Sequence, residues 1–118
     1  AASAFIEDII QRGLYEKVLL VITGEFGRTP KINDKGGRDH WGNLCTLAFA
    51  GGGLKMGQVI GASNKTVSEP ARDLVTSNML LGTVMHTLMN TSTLRLRTDL
   101  PDDVRGVISN SRPIPQLV

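Results

Sequence analysis

One stretch constrains this chain more than any other: Val18 to Trp41, VLLVITGEFGRTPKINDKGGRDHW. It opens with an unbroken apolar, largely β-branched run. It then breaks at Gly24 into polar, glycine-rich sequence and closes on Arg-Asp-His-Trp. A run without polar alternation is the pattern of a strand buried on both faces of a parallel sheet. In open α/β sheets, ligands sit beyond the carboxyl ends of such strands. The pattern therefore predicts a core strand over 17–23 and an active-site loop over 24–43.

The flanking sequence fits that frame. Phe5, Ile6, Ile9 and Ile10 share one face of a helix over 3–12, with Ser3 as cap and Gly13 as terminator. A helix feeding a buried strand is half of an α/β unit. Leu44–Ala50 reads as a second strand stopped by Gly51-Gly52-Gly53, and Gln58–Ile60 as a short edge strand. Lys65–Ala71 reads as loop. A helix is predicted over 73–89, capped by Asp73 or Ser77, with Leu74, Leu81, Val84, Met85, Leu88 and Met89 on its apolar side. Residues 91–118, interrupted by Pro101, Pro113 and Pro115, read as an irregular tail. The strand that should precede the first helix is not in these 118 residues, and the neighbours a central strand needs have few candidates.

Composition narrows the function classes. A formal charge of +2 with no basic run or basic-aromatic interleaving argues against a nucleic-acid partner. No apolar stretch approaches the ~20 residues of a membrane span. Cys45 is the only cysteine, so no internal disulfide forms. There is no Gly-x-Ser-x-Gly elbow. His86 lies among apolar helix residues outside any His-Glu-x-x-His pattern and reads as structural.

The polar residues of the central stretch carry the candidate chemistry. Glu25, at the end of the strand, suits a metal ligand, an acid-base group or an ion pair. Arg28 offers a guanidinium fork for a phosphate or sulfate oxyanion, or a brace for the loop. In Arg38-Asp39-His40-Trp41, an imidazole and a carboxylate stand side by side, a pairing that suits zinc. The glycines at 36, 37 and 42 permit the turn that convergence requires. The alternative is a structural network among Glu25, Arg28, Asp39 and His40.

Three segments in order, Gly24-Glu25-Phe26-Gly27-Arg28-Thr29-Pro30, Gly37-Arg38-Asp39-His40-Trp41 and Ala50-Gly51-Gly52-Gly53-Leu54-Lys55-Met56-Gly57, resemble the bacterial, sulfatase-like family of unknown function numbered 1501. That family is similar to the alkaline phosphatase superfamily. The resemblance implies a partial doubly wound, mostly parallel sheet flanked by helices, with residues 1–118 as the carboxyl-terminal part of the domain. It implies hydrolysis of sulfate or phosphate esters at one or two divalent ions, zinc, calcium or manganese, in a longer form; the 118 residues alone would be inactive. By this resemblance Glu25 and His40 are metal ligands, Asp39 ligates or orients His40, and Arg28 or Arg38 neutralises oxyanion charge. Many members carry export signals, which implies a periplasmic or exported protein. The expected partner is a small anionic ester, with a second copy pairing through an exposed sheet edge.

Two features depart from the family's catalytic relatives. Phe26 stands where they carry a histidine, and a phenyl ring binds no metal. Cys45 lacks the Cys-x-Pro-x-Arg context of a formylglycine nucleophile, and no other segment resembles a nucleophile region. The competing reading is a non-catalytic binding or structural protein on the same scaffold.

Overall fold

A computed structural model describes residues 1–118. The elements in chain order are α1 (Ala2–Gln11), β1 (Leu19–Ile22), β2 (Gly27–Arg28), β3 (His40–Trp41), β4 (Ala48–Gly51), β5 (Ala62–Ser63), β6 (Pro70–Arg72), α2 (Ser77–Leu88), α3 (Thr91–Leu94) and α4 (Asp102–Asn110). The strands form three separate two-stranded sheets, β1 with β4, β2 with β3 and β5 with β6, all antiparallel. The continuous, mostly parallel, doubly wound sheet expected from the sequence is therefore not what this chain forms. Parallel neighbours require crossover connections of a dozen or more residues, usually helical. Here α1 is the only helix before β6, and it precedes every strand. β2–β3 and β5–β6 are hairpins, and β1 returns to β4 through the segment that holds the β2–β3 hairpin.

β1 shows what that costs. Its apolar run suits burial on two faces, yet Leu19, Leu20 and Val21 are only half-buried and Ile22 is 46% exposed. This chain covers the strand only in part.

The chain divides into two compact units. The first comprises Ala1–Leu19, Ala50–Gln58 and Val75–Val118. It holds all the buried apolar side chains: Ile9, Ala50, Ile108, Ile114 and Leu117. α1 places Ile9 on its inner face and ties its surface with an Asp8–Arg12 ion pair at 2.8 Å. Ala1, not Ser3, stands at its N-cap. α2 starts behind Thr76, whose hydroxyl accepts from the Met79 amide at 3.3 Å. That start lies three residues beyond Asp73, which takes a positive φ and stays outside the helix.

The tail is not irregular. Asn90 caps α3 by accepting from the Thr93 amide at 3.1 Å. Pro101, then Asp102 and Asp103 in the first turn, start α4. Arg95 donates from Nε and Nη2 to the Ile108 carbonyl, which fastens α3 to α4. The closing segment is anchored by the amide of Lys55 donating to the Leu117 carbonyl at 2.8 Å.

The second unit comprises Leu20–Phe49 and Val59–Leu74. It contains no fully buried residue. Its order comes from two hairpins and polar braces. β5 and β6 pair with Ala62 opposite Arg72 and Ser63 opposite Pro70. Asn64 stabilises the turn between them, its Oδ1 accepting from the Ser68 amide at 2.9 Å. Gln58–Ile60, expected as an edge strand, is not one. No helix of the protein is long and apolar enough to cross a membrane.

Candidate functional site

The polar part of the central stretch folds as a long-looped hairpin, β2–β3, with Gly27 opposite Trp41 and Arg28 opposite His40. Pairing extends one step further, since the Thr29 amide donates to the Asp39 carbonyl at 3.0 Å. Side chains of successive cross-strand pairs emerge on opposite faces. Arg28 and His40 thus share one face, and Thr29 and Asp39 share the other.

The first face is built on Phe26. Its ring lies 4.0 Å from the His40 imidazole, centroid to centroid, tilted by 34°. The Arg28 guanidinium stands 5.9 Å from the centre of the same ring, within cation-π range. Phe26 is thus a common contact of the His40 and Arg28 side chains. Arg28 and His40 are exposed. Arg28 also donates to the Arg38 carbonyl, at 3.4 Å.

The loop joining the two strands is held by a set of braces. Arg38 donates from Nη1 to the carbonyls of Thr29 and Pro30, at 2.9 and 2.7 Å. Asn33 donates from Nδ2 to Asp39 Oδ1 at 2.9 Å. The Asn33 side-chain oxygen accepts from the amides of Lys35 and Gly37, at 3.1 and 2.9 Å. The Asp39 amide donates to the Thr29 hydroxyl at 3.0 Å. Arg38 and Asp39 thus hold the loop's shape with the groups expected to serve an oxyanion or a metal. Asn33 is the hub of these braces.

The base of the hairpin is held by close approach and one long-range bond. A side chain at Gly27 would overlap the Leu44 carbonyl oxygen. Trp41 donates from Nε1 to the Ser68 carbonyl at 2.8 Å, fastening this hairpin to the β5–β6 hairpin. No local pattern announces that partner, 27 residues away.

Glu25 precedes the hairpin and is exposed. Glu25, Asp39 and His40 do not converge. No three or more His, Cys, Asp or Glu side chains come together anywhere in the chain as a set that could hold a metal ion. Residues 1–118 do not by themselves assemble such a set. Cys45, exposed, donates its thiol to the Gly24 carbonyl at 3.2 Å. No base stands with it that would make it a nucleophile.

The site segments and the remainder of the chain match one family model, described as a protein of unknown function (DUF1501), over residues 1–118. The chain belongs to the DUF1501 family. None of the curated proteins and none of the solved structures matches it. Its membership in DUF1501 accordingly carries no activity across, and function has to be argued from the hairpin itself.

Proposed function

We propose that this DUF1501 chain recognises small phosphate or sulfate esters on the Phe26–Arg28–His40 face of the β2–β3 hairpin, as part of a sulfatase-like hydrolase related to the alkaline phosphatases. The observation that carries this reading is the cross-strand pairing of Arg28 with His40 over the Phe26 ring. An exposed guanidinium and an imidazole on one face give two donors to a tetrahedral oxyanion. Arg28 supplies charge and the forked geometry; His40 supplies a second, differently directed N–H. The aromatic ring limits their rotamers and so lowers the entropy lost when an anion binds.

Hydrolysis is the further part of the proposal. The metal-assisted route implied by the family resemblance needs donors beyond those this chain brings together, so no step is assigned to a metal here. The chain's own contribution is to bind and orient the ester. Arg38 and Asp39 act indirectly, by fixing the loop that connects the two strands. Their engagement in those braces also favours the competing, non-catalytic reading, in which the hairpin is a rigid scaffold.

Titration with phenyl phosphate and phenyl sulfate, followed through the ring resonances of His40 and the side-chain Nε–H of Arg28, separates the two. Saturable shifts at both residues, weakened about tenfold or more by Arg28→Ala, are expected from loss of a charge-assisted bond. Shifts no larger than those given by matched sodium chloride, with the hairpin intact, leave the scaffold reading.

A further inference from the structure

The opposite face of the same hairpin carries an open cavity of about 310 Å³, lined by Thr29, Lys31, Ile32, Asn33, Asp34 and Asp39. That volume lies at the small end of the range for ligand sites. Its polar groups divide into spent and unspent. Thr29 already donates its hydroxyl to the Lys31 carbonyl at 2.9 Å and accepts from the Asp39 amide. The Asn33 side-chain oxygen accepts from two amides, and its Nδ2 spends one of its two N–H groups on Asp39. Asp39 has one carboxylate oxygen held by Asn33 and the other unassigned. No ion pair joins Lys31 to Asp34 or Asp39.

The unspent chemistry is therefore one ammonium, two carboxylate groups, one Asn33 N–H and the Ile32 side chain, which is 56% exposed. A simple anion meets two carboxylates there. A simple cation meets Lys31. A ligand that carries both an ammonium and a carboxylate answers each charge, and a short aliphatic group covers Ile32. Braces from Arg38 to Thr29 and Pro30 and from Asn33 to Asp39 shape the cavity.

We infer that this cavity is a binding site for a small aliphatic zwitterion of the amino-acid type, with the ligand ammonium on Asp34 and Asp39 and its carboxylate on Lys31. The site is independent of the ester reading, because Arg28 and His40 stand on the other face of the hairpin.

The test uses the whole chain and L-leucine, followed by amide chemical shifts. Leucinamide and 4-methylpentanoate serve as controls that each lack one charge. Saturable shifts confined to residues 31–34 and 39 are expected with leucine, with each control about tenfold weaker or more. Asp34→Asn and Lys31→Gln alter exposed side chains, and each should weaken leucine about tenfold while the rest of the spectrum stays in place. Absence of saturation with leucine, or equal binding of leucine and its single-charge controls, overturns the inference.

Discussion

At the residue scale, the most perturbed ionisable group lies far in sequence from the hairpin. Asp99 is held at about 2, below its ordinary 3.8, chiefly by the hydrogen bond from Arg97. Arg97 donates from Nε to Asp99 Oδ1 at 2.9 Å and from Nη2 to the second oxygen, a forked pairing between residues two apart. The sign follows directly. A carboxyl whose folded pKa is depressed gives stability that is complete above its unfolded value and lost as pH falls toward the folded one. The window here runs from about 3.8 down to about 2. Both side chains are largely exposed, so solvent and salt screen the pair and its weight in overall stability is small. The expected outcome is therefore spectroscopic. The Asp99 side-chain carbon should titrate near 2 at low salt and return toward 3.8 in Arg97→Gln. A midpoint near 3.8 in the unmodified protein would show that the fork does not form.

At the element scale, the docking of the closing segment on α2 is the firmest polar join in the first unit. Thr83 is fully buried. Its hydroxyl donates to the Met79 carbonyl at 2.7 Å and accepts from the Ile114 amide at 2.9 Å. One residue earlier, a Cβ on Gly82 would stand 2.6 Å from the Arg112 carbonyl group. Glycine there lets the segment's backbone touch the helix, and threonine then satisfies the amide that arrives. Thr83→Val keeps the shape but leaves the buried Ile114 N–H without an acceptor, which should cost about 1–3 kcal/mol. Gly82→Ala should also destabilise, by roughly 1–3 kcal/mol from overpacking, even though alanine favours helix by about 1 kcal/mol. Chemical denaturation of both variants checks this; a stabilised Gly82→Ala would mean that the segment does not lie against α2.

The same comparison of elements shows what a sequence can disclose. α1 is readable because Phe5, Ile6, Ile9 and Ile10 repeat at helical spacing. α4 hides because its apolar residues are few and flanked by Asp, Arg and Gly; the signals that start it, Pro101 and the acidic first turn, are short-range. The β2–β3 hairpin hides because each strand is two residues long and has no alternation to read. Arg28, Asp39 and His40 stand out in the sequence as polar candidates, but nothing in it says which of them share a face. Their division into two faces depended on register, which an eleven-residue connection between β2 and β3 conceals. The parallel-sheet expectation failed for a different reason. The apolar run of β1 describes the environment the strand is suited to, and only partners can supply that environment.

At the scale of the whole molecule, that mismatch becomes a prediction about where stability resides. Five large or small apolar residues are buried, all in the first unit, while fifteen large hydrophobic residues are exposed. The second unit, which carries the candidate site, has no buried residue and relies on exposed hydrogen bonds that water can replace. Amide exchange should therefore divide the chain along the same line. Amides of α2 around Thr83 and of α4 around Ile108 should exchange slowest, and those of the β2–β3 and β5–β6 hairpins close to the unprotected rate. Ile22→Lys provides the matching perturbation. Because Ile22 is 46% exposed on a strand edged by apolar neighbours, the lysine should change unfolding free energy by no more than about 0.5 kcal/mol and should lower the chain's tendency to associate. If β1 instead lies under cover in the protein as it operates, within a longer polypeptide or against another chain, the substitution would bury an unpaired charge, and the longer form or complex would be lost while the 118-residue chain keeps its fold. The contrast between those two measurements tests whether the exposed strand is a surface or an unfinished core.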